Sequence, residues 1–424
     1  MLCFPIPPNE DERLAELRRL RFSEWGVSVA LNELCAVASK SLGTPIAHLS
    51  LVGEKEQIFA AKIGLDAGRT SRQVAFCAHT IMKSGPLIIG NAEQDPRFSD
   101  NPLVKGEPGI KSYLGIPLET SPGLRIGALC AADRKPRNFG ESDVRTLESL
   151  GQIAVSIVNH HRMTLELGEQ MKSAIALQKD MLPSPARIAQ IEAYCPVDLA
   201  AHYQARDGIG GDIWGIEATA PQRLLVYVAD FTGHGVAAAL NTARFHSFVH
   251  VSCERTDRPA SLLRRLNRRL NEVLPSGQFA TMFCATMDFK SESIECASAG
   301  APPQFYRQSM GAGFEIIGKP SLPLGVIRDV AYETETLPFL PGGGLVLYTD
   351  GLIETPKPPR NIWTSDSLRE FLCDAGKTQN SSQICRSILG KLGSEPAMRI
   401  DDDIALIVAQ RASGPFEAVI DYEV

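Results

Sequence analysis

Apolar residues along this chain recur with two different periods, and the changes of period divide it into segments. A helical repeat opens the chain at Glu10–Leu20, and a second runs through WGVSVALNELCAVASKSL, residues 25–42. Strand-like blocks follow. PIAHLSLV and QIFAAKI flank GEKE as one hairpin, a loop-rich stretch carries FCAHTIM, and KSYLGIPLET and RIGALCAAD flank SPG as another. A helix is predicted to begin near Ser142, its N-cap after the Phe139–Gly140 break. A seam of strict 3-4 alternation then runs through Leu150, Ile153, Ile157, His160, Thr164, Leu167, Met171, Ala174, Gln178 and Met181, polar at His160, Thr164 and Gln178, and Pro183 and Pro185 close the helix. Such a seam belongs either to a helix lying on its own domain or to a parallel dimer stalk, which would span roughly 45 Å. The stalk is the expectation, with His160, Thr164 and Gln178 weakening it. Beyond Pro185 the strand period returns: GGDIWGIEA and RLLVYVAD flank TAPQ, followed later by GLVLYTD and DDDIALIVAQ.

This last region concentrates acid at strand ends. A hairpin symmetric about Pro221 pairs Asp212 with Asp230, and carboxylates opposed on adjacent strands lie only ~5 Å apart at Cβ. Repulsion at that distance is relieved by a raised pKa or by a cation between them. Asp350 ends the apolar strand GLVLYTD before Gly351, and Asp401, Asp402 and Asp403 stand immediately before another apolar strand. Any one of these aspartates alone reads as a turn or cap residue. Four such segments together predict carboxylates converging on one rim of a sheet, an all-oxygen donor set suited to Mg²⁺ or Mn²⁺. Two such ions can activate water near neutral pH and clamp a phosphoryl group.

Composition narrows the alternatives. At 424 residues, 44% hydrophobic and 22% charged, the chain is expected to form two or three ordinary domains. A net charge of −6 disfavours a nucleic-acid partner, and Arg264, Arg265, Arg268 and Arg269 read as a solvated or protein-docking helix face. Ten cysteines without a CxxC pair, an N-terminus unlike a secretory signal and no membrane-length apolar run predict a cytoplasmic protein with no membrane partner.

Two resemblances sharpen this reading. LSLVGEKEQIFAAKIGLD, FCAHTI, NAEQDPRFSDNPLV and GIKSYLGIPLET…RIGALCAADRKPR resemble, in order, a bacterial GAF domain, a sensor module, over Phe22–His160. The resemblance implies a small-molecule or protein signal without naming it. Cys77 and His79 in FCAH are read as packing residues of a pocket-lining helix, because no further metal ligands stand at an obvious spacing.

The second is a PPM-type (protein phosphatase 2C-like) serine/threonine phosphatase of the SpoIIE/RsbU branch. It is carried by LQKDMLPS, GIGGDIWG, VADFTGHGVAAAL, LLRRLNRRL, FATMFCATMD, ASAGAPPQFY, SLPLGV, LPGGGLVLYTDGLIE and DDDIALIV. The expected fold class is therefore a multidomain α+β/α/β protein: a GAF sensor, a helical coiled-coil linker and a PPM α/β/β/α sandwich. The expected bounds are an N-terminal helix over 1–21, the GAF domain over 22–160, the linker over 150–185, the phosphatase domain over 186–411 and a tail over 412–424. The resemblance implies two Mn²⁺ or Mg²⁺ ions, bridged by Asp230. Asp350 and Asp402 would hold the first, and the Phe231 carbonyl and Asp212 would join the second. Asp403 is a competing ligand for Asp402, with DDIA favouring Asp402. His234 is either an exposed turn residue or a phosphate-proximal donor, and Gly233 and Gly235 would let helix N–H groups face an anion.

Three positions depart from the family pattern: Ala301 replaces His in AGAPP, Ala405 replaces Thr in DDIA, and Gly215 replaces a second Asp. None removes an expected ligand. The implied partner is a phosphorylated anti-anti-sigma (STAS-domain) protein, and the implied state is a homodimer. The competing readings are a catalytically weak PPM-like module acting by protein binding and, less well matched, a cyclase-like enzyme suggested by GIGGD alone.

Overall fold

The computed structural model describes residues 4–21, 28–253, 258–353, 363–376, 379–393 and 402–414. The chain forms two compact units, Met1–Gln170 and Met171–Val424.

The first unit contains α1 (Glu10–Arg19), α2 (Val29–Leu42), β1 (Ile46–Val52), β2 (Glu56–Ile63), β3 (Arg69–Ser71), α3 (Phe76–Thr80), β4 (Leu87–Ile89), α4 (Pro102–Lys105), β5 (Ser112–Ser121), β6 (Leu124–Asp133) and most of α5 (Glu141–Asp180). Both hairpins expected from the sequence form, within a six-stranded sheet of order β3-β2-β1-β6-β5-β4. Strand alternation sends Ala47, Leu49 and Leu51 of β1 to one face and Ile46 and Val52 to the other, so each face has its own core. The N-terminal helix packs into this unit, with Leu17 and Leu20 buried in the same core as α2 and α5. Residues 22–27, including the expected start of the domain, lie outside the described residues.

α5 starts at Glu141, one residue before the expected N-cap, with the Asp143 carboxylate accepting the Gly140 N–H at 2.9 Å. It runs unbroken for 40 residues. The stripe it turns to its own core is Leu147, Gly151, Ala154 and Val158, one step away from the seam read in the sequence. Ile157 packs partly against that core, whereas Ile153, Leu167 and Met171 are exposed. Pro185 also has a different role from the one expected. It occupies the first turn of a new helix, α6 (Pro185–Tyr194), whose N-cap is Ser184.

The second unit continues with β7 (Val197–Gln204), β8 (Asp212–Ala220), β9 (Arg223–Phe231), α7 (Val236–Cys253), α8 (Pro259–Val273), β10 (Ala280–Asp288), β11 (Ser293–Ala299), β12 (Gln304–Arg307), β13 (Glu315–Ile317), β14 (Glu335–Pro338), β15 (Gly344–Tyr348), α9 (Ser365–Ala375), α10 (Ser381–Gly393) and β16 (Ile404–Arg411). Two five-stranded antiparallel sheets result, β14-β11-β10-β9-β8 and β13-β12-β15-β16-β7. Alternate residues of both sheets share one core: Trp214, Val226, Val228 and Phe283 from the first, and Leu199, Leu345, Leu347 and Ile407 from the second. The opposite faces pack on helices, through Tyr227 and Phe231 against α7 and α8, and through Val346 and Leu406 against α9 and α10. This is the expected α/β/β/α sandwich. Burying a Leu, Val, Ile or Phe side chain stabilises by roughly 1.5–3 kcal/mol, and the many such side chains between the sheets offset the repulsion concentrated at one end. Of the expected tail, residues 415–424 lie outside the described residues.

Candidate metal centre

Strand parity decides which aspartates meet. On β9, Leu224, Val226 and Val228 face the inter-sheet core, so Asp230 faces it too; on β8, Trp214 and Ile216 carry Asp212 to the same side. On β15, Leu345 and Leu347 place Thr349 inward, and on β16 Ala405 and Ile407 place Asp403 inward. β8 and β9 are antiparallel with Asp212 directly opposite Asp230, and β15 and β16 are antiparallel with Tyr348 opposite Leu406. These four residues therefore gather at one end of the space between the sheets.

Glycines let the ends close. A Cβ on Gly210 would lie 2.0 Å from Asp403 Oδ2, and one on Gly211 would lie 2.5 Å from the Phe231 carbonyl oxygen and 3.3 Å from Asp230 Oδ1. A Cβ on Gly351 would lie 1.9 Å from the Asp403 carbonyl oxygen and 3.3 Å from Asp402 Cβ. The GIGGD and TDG glycines are thus steric requirements for bringing Asp350, Asp402 and Asp403 beside the Asp212–Asp230 pair.

The two neighbouring acids of the DDD run differ in surroundings. Asp403 is buried, and its Oδ1 and Oδ2 accept the backbone N–H groups of Arg206 at 2.8 Å and Gly211 at 2.6 Å. Asp402 is exposed, its Oδ1 accepting the Asp403 N–H at 2.9 Å. Asp401 lies outside the described residues. Thr349, not singled out from the sequence, links both sheets. Its hydroxyl donates to Asp212 Oδ2 at 2.6 Å and accepts the Ala405 N–H at 2.8 Å. Its cue was available: an inward-facing hydroxyl one residue before a strand-end Asp.

The electrostatics have one sign. Burial, then the charges of Asp350 and Asp402, push the Asp230 carboxyl up to about 7, against which a hydrogen bond with Asp212 acts. Burial and the Asp230 charge raise Asp212 well above the carboxylate range. Burial also raises Asp403, while its backbone hydrogen bonds pull it down. Opposed buried carboxyls with oxygen-only donors fit a hard divalent cation, which would remove this penalty.

Other expected residues fall into place around this centre. Gln178, read as the last polar residue of a dimer seam, is instead buried in the second unit: its side-chain amide donates to the Gly210 carbonyl at 2.7 Å and accepts the Gly210 N–H at 3.0 Å. The end of α5 is thereby clasped to the residue that packs on Asp403. His234 is an exposed turn residue 3.8 Å from Asp207. Gly233 and Gly235 have φ of 98° and 76°, the left-handed turn that starts α7. Gly215 faces Tyr227, whose ring a Cβ would meet at 2.4 Å, so there is no room for a second acid at 215. The α8 arginines are engaged within the unit: Arg264 with Ser261, Arg265 with the Ser252 carbonyl, Arg268 with Asp329 and Arg269 over Phe248. In the first unit, Cys77 and His79 do not share a site, since His79 packs edge-on against Phe98 while Cys77 faces Cys130. No helix among the described residues is long and apolar enough to cross a membrane.

Comparison with known proteins fits this division. Residues 27–157 match the GAF domain family, and residues 220–412 match the family described as Stage II sporulation protein E (SpoIIE). Phosphoserine phosphatase RsbU of Bacillus subtilis is 24% identical over 249 residues, 58% of this chain and 71% of the relative. Phosphoserine phosphatase RsbP of the same organism is 23% identical over 210 residues, 49% of this chain and 50% of the relative. Cyclic di-GMP phosphodiesterase PA2567 of Pseudomonas aeruginosa is 38% identical over 180 residues, 42% of this chain and 31% of the relative. The chain thus spans half or less of PA2567 and RsbP. Among solved structures, the SiaA-PP2C domain of Pseudomonas aeruginosa superposes with a TM-score of 0.52 at 20% identity, covering 59% of this chain and 98% of that one, which establishes the fold.

Proposed function

We propose that this chain, a GAF domain followed by a SpoIIE-type PPM phosphatase domain, is a divalent-cation-dependent protein serine/threonine phosphatase under GAF control. The observation that carries this reading is the rim itself, where Asp212 opposes Asp230 with Asp350 and Asp402 close enough to raise the Asp230 pKa. Asp230 is assigned the bridging role, Asp350 and Asp402 the first cation, and Asp212 with the Phe231 carbonyl the second. Asp403 positions the GIGGD loop through its two backbone hydrogen bonds, and Thr349 orients Asp212. Two Mn²⁺ or Mg²⁺ ions bound there supply Lewis-acid activation of water and neutralise phosphoryl charge. The exposed Asp402 and the open turn at residues 232–235 leave the rim accessible to a phosphorylated side chain on another protein.

RsbU and RsbP are named phosphoserine phosphatases. By similarity, the substrate is a phosphoserine or phosphothreonine on a STAS-type anti-anti-sigma regulator, in the cytoplasm. Hydrolysis of a phosphoserine peptide should fall to background in excess EDTA and return on adding Mn²⁺ or Mg²⁺. Full activity in EDTA would sink the assignment, and absence of turnover with either ion would leave a protein-binding module.

The GAF signal is assigned to α5. Ile153, Leu167 and Met171 leave an apolar row exposed on this helix, the row expected to face a second copy, while Gln178 at its end holds Gly210. A signal then needs only different affinity for two arrangements of the helix to shift the population. Light scattering of the full chain should give a dimer mass, and Leu167→Glu with Met171→Glu should give a monomer. A monomeric parent chain would reduce α5 to a tether.

A further inference from the structure

We infer that His48, Cys77 and Cys130, buried in the GAF unit, form a Zn²⁺ site whose fourth coordination position opens onto the adjoining cavity. Strand register supplies two of the ligands. β1 and β6 pair with His48 directly opposite Cys130, and both side chains point to the face covered by α3. α3 then lays Cys77 over the pair, with its Sγ 3.4 Å from that of Cys130. Among the described residues this is the one set of three His, Cys or acidic ligand atoms lying within 4.8 Å of one another. Zn–S bonds of about 2.3 Å and Zn–N bonds of about 2.0–2.1 Å put two ligands of one tetrahedral ion at most ~3.8 Å apart. The two sulfurs, 3.4 Å apart, would open by roughly 0.4 Å, and the imidazole, within 4.8 Å of both, would close by roughly 1.3 Å or less to reach the ~3.5 Å of an S–Zn–N pair.

A second observation points into the same spot. His48 is only 4% exposed, yet its Nδ1 has no hydrogen-bond partner, and the Oε1 of the equally buried Gln57 has none either. Buried polar atoms are rarely left unsatisfied without a ligand or water to meet them. His48, Gln57 and Cys77 all line a cavity of about 360 Å³, together with Phe76, Tyr113 and Arg134. A supporting shell is also present: the Tyr113 hydroxyl stands 2.9 Å from Cys130 Sγ and 2.7 Å from Thr80 Oγ1. Donation from the Tyr113 hydroxyl to Cys130 Sγ stabilises a thiolate there.

The donor set selects the metal class. Two thiolates and an imidazole suit Zn²⁺, and three protein ligands with one open position are the arrangement of zinc sites that accept an outside ligand. As each S–Zn bond forms, a thiol gives up its proton to solvent, with no change of oxidation state. The cavity then presents the open position to a small anionic or thiol-bearing molecule, giving this sensor unit a chemical basis for its signal.

The test uses the untagged full chain, reduced and purified in Mg²⁺ buffer, with metals counted by mass spectrometry and Co²⁺ then exchanged in. About one Zn²⁺ per chain should be retained. The Co²⁺ form should show an intense sulfur-to-metal charge-transfer band, which an oxygen-only site in the phosphatase domain cannot give. The band should fall at least tenfold in Cys77→Ser and Cys130→Ser, and His48→Gln, which removes a direct ligand, should weaken Co²⁺ binding more than ~100-fold, beyond the cost of losing an outer-shell partner. No charge-transfer band in the wild-type chain overturns the proposal without recourse to any variant. Stoichiometric Zn²⁺ in the Cys77→Ser, Cys130→Ser double variant overturns it as well. So does a wild-type mass two hydrogens light that maps to a Cys77–Cys130 disulfide under the same reducing conditions.

Discussion

Asp230→Asn is expected to abolish the proposed phosphatase activity while making the metal-free fold more stable. Loss of a residue that merely supports a metal ligand costs roughly 10–100-fold in affinity or activity, so loss of the carboxylate proposed to bridge the two ions should cost more than ~100-fold in turnover. The stability effect has the opposite sign. An unfolded Asp titrates near ~3.9, whereas burial and the charges of Asp350 and Asp402 push native Asp230 up to about 7. Between those values the folded chain holds a proton that the unfolded chain has released, so metal-free stability falls as pH rises through the window. Asn carries no such proton. Its advantage should be small near pH 4, grow to about pH 7 and then level off. At ~1.4 kcal/mol per pKa unit, the plateau is on the order of a few kcal/mol. Urea unfolding in EDTA at pH 5 and pH 8 measures it. A stability gap equal at both pH values would contradict the raised Asp230, and a variant active with Mn²⁺ would contradict the bridging role.

Gly351→Ala should damage the same centre by a steric route. The new Cβ would lie 1.9 Å from the Asp403 carbonyl oxygen, a backbone atom that no rotamer change can move aside. The Asp350 turn and the start of β16 must therefore separate. Overpacking of this kind costs typically 1–3 kcal/mol, and a 1 Å misplacement of catalytic groups can cost ~100-fold in rate. Gly390→Ala is the matched control, because nothing lies within 4 Å of a Cβ there and Gly390 sits inside α10. That change should stabilise by roughly 0.5–1 kcal/mol. If thermal unfolding and phosphopeptide turnover cannot tell the two variants apart, the close approach at Gly351 does not matter to the site.

Much of the first of these arguments was legible in the sequence. A hairpin with a short turn has its register fixed by the turn, so the Asp212–Asp230 opposition follows from TAPQ and the alternation on either side. Parity then says which later acids face the same way, and both hairpins of the first unit obey the same local rules. The seam on α5 was half legible: its period is real, but the inward stripe Leu147, Gly151, Ala154 and Val158 differs from the one read. Gln178 belongs to the Gly210 loop rather than to a seam. A 3-4 repeat gives a helix's apolar stripes without saying which surface each one meets.

The remaining features were decided by contacts between residues far apart in the chain. Parity turns Asp403 inward, but what its carboxylate does is decided by the Arg206 and Gly211 N–H groups that capture it, nearly two hundred residues earlier in sequence, and no local pattern encodes that capture. Thr349 acquires its role only when β15 brings it to Asp212. The clearest case is Cys77. Its sequence neighbour His79 turns to Phe98, and its partners His48 and Cys130 come from two strands of a sheet. Short-range periodicity fixes the direction of a side chain from its own strand or helix. Which distant side chain it meets is set by the packing of whole layers, where buried area outweighs any local preference.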